Sequence, residues 1–354
     1  MDPELYAYVT YLISKRNEDF LKSANSLKKI YENDVSSIRS KNIPLRDRRI
    51  ILFNLTRTYN SRIRALINQR RADVNDIIQN TKTVPGKVYR RFALVVGIDY
   101  LDDPNRRLKG AAMDGMRMKK LLEGVGYNVT FLSDNSPNAI LPTLSNLTQA
   151  ILNLFQNKVA GDTLFFYFSG HATFINDTNG DELDGYDELI TTIDPYDPIS
   201  GNQTYITDDI FKSIIQQQLK TGIKVYCVMD GCNSGTILDL KYNYFDGSPS
   251  GITNNPYQSE TNGQIYLISS ARDDELSGEA LIDYGGGFTT YGGIFTYAFL
   301  DVFQSYPSTQ LLSLKELLIQ IRNKITQLGF SNQTAQLSSG KMINPDTTYF
   351  SLYF

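Results

Sequence analysis

The sequence predicts an α/β protein: a doubly wound, mainly parallel sheet flanked by helices, with an all-helical N-terminal region before it. Three observations carry that prediction. Residues 1–88 show apolar spacing of helical period and no strand pattern. Beyond them, short apolar runs alternate with amphipathic segments. The runs are apolar throughout rather than at alternate residues, as in parallel strands covered on both faces. Strand, helix and strand at this spacing imply right-handed crossovers in one sheet.

The elements follow in order. In residues 1–88, Leu5, Tyr8, Val9 and Leu12 share one helical face, and Ile51, Leu52, Leu55, Tyr59, Ile63, Leu66 and Ile67 share another. About three helices are expected, with a break over residues 42–45 at Pro44. Residues 81–87 contain Pro85 and Gly86 and read as a linker. The run FALVVGIDY at 92–100 is the first strand, and 110–124 is a helix through Met113, Met116, Leu121 and Leu122. Residues 128–132 make a second strand, 141–155 a second helix and 163–168 a third strand. A helix over 207–219 opens on Thr207, Asp208 and Asp209, and 224–229 is the fourth strand. A later strand at 264–269 precedes helices at 292–303 and 312–328. Residues 241–262, rich in Asn, Gly, Ser, Pro and Tyr, read as a long exposed loop. The organisation is thus a helical region or pro-region at 1–88 and an α/β domain at 89–354.

Composition narrows the function. The chain has 354 residues, 41% hydrophobic and 21% charged, enough for a sizeable core. No apolar stretch approaches the roughly 20 residues that a membrane span needs, so none is expected. Residues 1–15 carry Asp2 and Glu4 and lack the pattern of a secretory signal. Two cysteines, Cys227 and Cys232, exclude a disulfide scaffold and point to a reducing, cytoplasmic compartment. A single histidine, His171, excludes a zinc site built from several imidazoles. The net charge of −3 hides an asymmetry, +8 over residues 1–88 against −11 over the rest. The basic region has no aromatic-interleaved stripe, so nucleic acid is not expected as a partner.

Doubly wound sheets place their sites beyond the carboxyl ends of the strands. There the third strand runs into Ser169, Gly170 and His171, and the fourth into Asp230, Gly231, Cys232, Asn233, Ser234 and Gly235. A thiol with an ordinary pKa near 8.5 is mostly protonated at neutral pH, and a neighbouring imidazole would make it a nucleophile. Small residues at both turns let the backbone present amides, as an oxyanion site requires. Cys227, inside its strand, reads as a core residue.

On these residues the sequence resembles the metacaspases, caspase-like cysteine peptidases. The likeness runs from about residue 91 to 341 through ALVVGIDY with LKGAAMD, FFYFSGHAT, NGDELDGYDELI, YITDDIF, KVYCVMDGCNSGTILDL, LISSARDDELSGEA, GGIFTYAFL and QTAQLSSG. The resemblance implies a caspase-like fold with His171 as the catalytic histidine and Cys232 as the nucleophile. The thiolate would attack the scissile carbonyl, amides near Gly170 and Cys232 would hold the oxyanion, and His171 would protonate the leaving amine. Asp114, Ser169 and Asp230 stand at strand ends and could converge; by resemblance they select Arg or Lys before the cleaved bond. Two carboxylates in one pocket favour a cationic side chain and oppose an acidic one.

A second acidic set, Asp177, Asp181, Glu182, Asp184, Asp187 and Glu188, crowds one loop. Oxygen ligands alone suit Ca²⁺ rather than Zn²⁺. The resemblance names Asp187, Asp208, Asp209 and Asp239 as calcium ligands, with Asp184 the alternative to Asp187. Asp208 and Asp209 also suit a helix N-terminus for their charge alone. Three positions depart from the family pattern: Asn233 replaces a usual histidine, Ala172 a usual glycine and Ala111 a usual cysteine. A positive φ at Ala172 would be strained. Lys241 and Lys87 fit the expected specificity and are candidate self-cleavage sites. The implied protein is a monomer acting on proteins or peptides; a catalytically weak or silent scaffold or adaptor is the alternative. The basic N-terminal region is further expected to dock on the acidic domain and hold it as a zymogen.

Overall fold

The computed structural model describes residues 3–80, 90–177, 179, 180, 182, 185–194, 204–244, 251–284, 289–305 and 312–352. The chain divides into two compact units. The first holds α1 (Pro3–Ser40) and α2 (Leu45–Asn80). Pro3 stands at the start of its helix, where a missing N–H costs nothing. The next breaker is Pro44, and the Arg48 guanidinium donates to the carbonyls of Lys41 and Ile43 beside it, at 3.0 and 3.2 Å. The helices pair antiparallel. Tyr31 stacks on Tyr59 with centroids 4.5 Å apart, while Arg70 reaches back to Asn17 at 2.7 Å. The expected three helices are therefore two long ones, because residues 45–80 contain neither Gly nor Pro to interrupt the second.

The second unit begins with β1 (Arg91–Gly97), α3 (Ala111–Gly124), β2 (Asn128–Ser133), α4 (Leu144–Phe155) and β3 (Thr163–Ser169). β4 (Ala172–Asn176), β5 (Tyr186–Thr191) and β6 (Tyr205–Thr207) form a small antiparallel sheet leading into α5 (Asp208–Gln218). Then come β7 (Lys224–Asp230), β8 (Tyr242–Tyr244), β9 (Ile252–Asn254), β10 (Gln264–Ser269) and the hairpin β11 (Glu279–Asp283) with β12 (Thr289–Gly293). α6 (Ile294–Ser305), β13 (Leu312–Ser313), α7 (Leu314–Gln327), β14 (Gln336–Ser339) and β15 (Tyr349–Phe350) complete it.

The main sheet has eight strands in the order β2-β1-β3-β7-β10-β14-β8-β9. Its first five strands are mutually parallel, and β14, β8 and β9 add antiparallel. This is the mainly parallel sheet with flanking helices that the sequence predicts. β3 is buried along its whole length, which explains its unbroken apolar run. Cys227 lies in the core with Val225 and Met229, as expected.

Residues 241–262 differ from the exposed loop expected there. Tyr242, Asn243 and Tyr244 are buried, with Tyr242 and Asn243 opposite Ser339 and Ser338 of β14. The Tyr244 hydroxyl accepts from the Ile343 amide at 2.9 Å. Strands of three residues are too short to leave a periodic signal, so the turn-rich composition around them dominates. Lys241 leads directly into this paired strand, whose backbone is held in the sheet. Lys87 and the rest of the 81–89 segment lie outside the described residues, as do Asp181 and Asp184.

Candidate active site

β3 and β7 are parallel neighbours, and Ser169 stands opposite Asp230 at their carboxyl ends. His171 and Cys232 therefore each follow the same rung by two residues, and the register brings them to one edge of the sheet. The turns are tight. A Cβ on Gly170 would come within 2.9 Å of the Phe168 ring and the Tyr100 hydroxyl, and one on Gly231 within 2.9 Å of the Ala172 methyl.

The imidazole is fixed on several sides. The His171 amide donates to the Tyr100 hydroxyl at 2.9 Å, and that hydroxyl donates to the Thr191 carbonyl at 3.2 Å. The Tyr100 and His171 rings lie 4.8 Å apart, with the Arg106 guanidinium 4.9 Å over Tyr100. His171 Nε2 lies 2.7 Å from the Arg106 carbonyl, which can only accept, so Nε2 carries the proton and Nδ1 is left as the base. Burial holds the imidazole below its usual pKa, although that carbonyl favours the protonated form. The thiol is half-buried. Ser277 N–H donates to Cys232 Sγ at 3.3 Å, and burial raises the thiol's pKa against that donor. Both groups are thus neutral at pH 7, and no hydrogen bond joins them among the described residues.

The structure corrects two backbone expectations. The Gly170 amide is spent on the Asp230 carbonyl at 3.2 Å, so it continues the sheet ladder and is not an open oxyanion donor. The Cys232 amide faces its own thiol, where it favours the thiolate. Ala172 is extended at the head of β4 and carries no positive φ, so it needs no glycine. Asn233 does adopt a positive φ of 50°, a conformation asparagine tolerates better than most residues, and its side-chain amide donates to the Asp273 carbonyl.

Asp114, Ser169 and Asp230 are all buried and gathered at the same edge. Asp114 Oδ2 accepts from the Gly293 amide at 2.5 Å, and Oδ1 from Arg117 at 2.7 Å. Asp230 accepts from the Ser277 hydroxyl at 2.7 Å and from the Thr296 hydroxyl and amide at 2.6 and 3.0 Å. Burial pushes the Asp114 carboxyl up to about 8, over the opposing pull of Gly293 N–H and Arg117; Asp230 adds to the rise. Burial also raises Asp230. The Arg117 guanidinium lies 3.5 Å over the Tyr284 ring. A cation already rests on the carboxylate that the sequence assigns to a substrate.

The expected metal ligands also converge, in two overlapping groups that share Asp208. Carboxylate oxygens of Asp187, Asp208 and Asp209 lie within 4.8 Å of one another, as do those of Glu182, Asp208 and Asp239. Burial first, then neighbouring carboxylates, raises Asp208 and Glu182. Crowded, partly buried carboxylates are a donor set that a hard divalent cation fits. Glu182 belongs to the acidic loop set read from the sequence but not to the four ligands named there, and no individual role was read for Tyr100, Arg106, Arg117, Ser277, Gly293 or Thr296 around the edge. These residues are distant in sequence, and neither residue type nor spacing tells which of them meet.

A half-buried imidazole and thiol thus stand at adjacent strand ends near two buried carboxylates. Residues 91–241 match the family described as metacaspase, peptidase C14 domain. Metacaspase-1B of Aspergillus fumigatus is 36% identical over 203 residues, covering 55% of this chain and 48% of that protein. Metacaspase-1 of Sclerotinia sclerotiorum is 35% identical over 199 residues, covering 54% and 44%. The chain thus spans about half the length of the curated relatives it matches. A Geobacter sulfurreducens protein of known crystal structure shares the fold with a TM-score of 0.52 at 21% identity, covering 75% of this chain and 98% of that one.

Proposed function

We propose that the protein is a calcium-dependent cysteine endopeptidase that cleaves after Arg or Lys through His171 and Cys232. The observation that carries this reading is the β3–β7 register, which sets the single imidazole and the half-buried thiol at one sheet edge beside Asp114 and Asp230. In the proposed reaction His171 Nδ1 takes the Cys232 proton as the thiol attacks the scissile carbonyl. The Cys232 amide donates to the developing oxyanion. The protonated imidazole then delivers its proton to the leaving amine, and water releases the acyl group from sulfur.

Asp187, Asp208, Asp209 and Asp239, with Glu182, would hold Ca²⁺. The ion would neutralise carboxylates that otherwise repel one another beside α5. No described helix is long and apolar enough to cross a membrane. A monomer in a reducing, cytoplasmic setting suits the two free cysteines.

The test is turnover of an Arg-containing fluorogenic peptide with and without calcium, beside a Cys232→Ala control. Calcium-stimulated cleavage lost in the control is the expected result. A second reading, a weak or silent scaffold, draws support from Arg117 seated on Asp114 and from the absence of a Cys232–His171 hydrogen bond. No cleavage of Arg or Lys peptides at any calcium concentration would favour it.

A further inference from the structure

A separate cavity of about 540 Å³ opens one residue beyond the nucleophile. Asn233 forms part of its wall, with Phe174, Tyr186, Glu188, Asp273 and Asp274 around it. Phe174 and Tyr186 meet edge to face with ring centroids 4.7 Å apart, yet remain 43% and 40% exposed. Two large aromatic side chains thus present ring surface to water on the rim of a cavity whose other walls carry carboxylates. Glu188 Oε2 accepts from the Thr236 hydroxyl at 2.7 Å, and Asp273 Oδ1 from the Thr236 amide at 3.0 Å, so both are fixed in place. Arg272 also lines the cavity and pairs with Asp274 at 3.1 Å. Three carboxylates against one guanidinium leave the walls acidic.

Position relative to the dyad gives the cavity its meaning. β4 begins at Ala172, directly after His171, and Phe174 stands opposite Glu188 in the β4–β5 ladder. One strand pair therefore carries both the imidazole and two walls of the cavity. Asp230, two residues before Cys232, belongs to the carboxylate pocket; Asn233, one residue after it, belongs to this cavity. Residues close on either side of Cys232 in the chain thus contribute to two acidic recesses.

Resting on the peptidase reading above, we infer that this cavity receives a basic side chain of the substrate on the leaving-amine side of the cleaved bond. The group that protonates the leaving amine continues into β4, so the chain beyond that amine runs along the β4–β5 pair. Aromatic faces attract a cation, and Glu188 and Asp273 supply counter-charge. An acidic side chain meets repulsion there, and an apolar one would strip water from carboxylates without replacing it. Substrates with basic residues on both sides of the bond are the ones this arrangement recognises.

The test uses the full chain and internally quenched peptides with Arg fixed before the bond and Lys, Ala or Glu in the first two positions after it. An Arg-aminocoumarin, which has no amino acid after the bond, runs alongside. The expected kcat/KM is about tenfold higher for Lys than for Glu, with Ala between, as one or two cation contacts allow. Phe174→Ala and Asp273→Asn, each checked for an unchanged melting temperature, should narrow that ratio to about twofold. Coumarin cleavage with equal rates for Lys, Ala and Glu would overturn the cavity assignment while leaving the peptidase reading intact. So would a Lys preference that both variants retain. No coumarin cleavage at all would remove the peptidase reading and this inference with it.

Discussion

In the proposed pocket Asp114 and Asp230 are buried acids with opposite tasks, to bind a substrate cation and to remain tolerable when none is present. Protonation and Arg117 serve the second task. The folded pKa of Asp114, about 8, lies above its unfolded value, so its stabilisation is full at acid pH and is lost as pH rises through 8. Melting temperature should therefore fall more between pH 6 and 9 in the wild type than in Asp114→Asn. Activity should move the other way. Ionised Asp114 binds the substrate cation, and the thiol pKa is raised as well, so kcat/KM for an Arg peptide should climb between pH 6 and 8.5. A flat profile over that range would contradict the assignment. Asp230→Ala should cost on the order of 2–5 kcal/mol in transition-state binding, since it leaves the Thr296 and Ser277 donors unpaired. His171→Ala should lose about 10²- to 10⁴-fold in turnover. Cys227→Ser should keep activity and lower stability by about 1–3 kcal/mol, because a hydroxyl enters a dry strand core.

The hairpin β11–β12 decides whether the carboxylate pocket is open. A Cβ on Gly293 would stand 2.2 Å from Asp230 Oδ2, and one on Gly292 2.0 Å from the Tyr284 hydroxyl. Gly293→Ala should therefore abolish Arg-peptide turnover by displacing Asp230, with far-UV circular dichroism unchanged; a variant with near wild-type kcat/KM would show the fit to be looser. These close approaches were not legible in the sequence, which reads 292–303 as one helix, whereas Gly292 and Gly293 end β12 before α6 begins. The strands that carry His171 and Cys232 were legible, because burial on both faces leaves an unbroken apolar run that ends at the polar residues of a strand terminus. The antiparallel strand Tyr242–Tyr244 was not, since three residues carry no period. Nor was the fate of the Gly170 amide, which depends on the β3–β7 register rather than on residue type. The long helix Leu45–Asn80 was misjudged for a related reason. Apolar spacing reports a helical face but not where a helix stops, and only Pro44 marks an end.

For the whole molecule, calcium and the N-terminal region are the two regulators open to test. Raised Asp208 and Glu182 bind protons that a cation must displace, so calcium affinity should increase from pH 6 to pH 8. Calorimetry in buffers of different ionisation enthalpy should register the released protons. Deleting residues 1–88 should raise initial turnover if the basic helices obstruct the acidic domain. Aggregation or lower thermal stability without gained activity would show them to be structural instead. The main sheet also constrains how this chain can be made. β8 is synthesised some ninety residues before β14, which must slide between it and β10. Until residues 336–339 leave the ribosome, β10 and β8 each expose an unpaired edge, the kind of surface that recruits other nascent chains. The two strands bearing His171 and Cys232 can already be paired at that stage. A nascent chain can therefore align its reactive groups before its sheet is closed, and a product ending at residue 335 should be recovered mainly in the insoluble fraction.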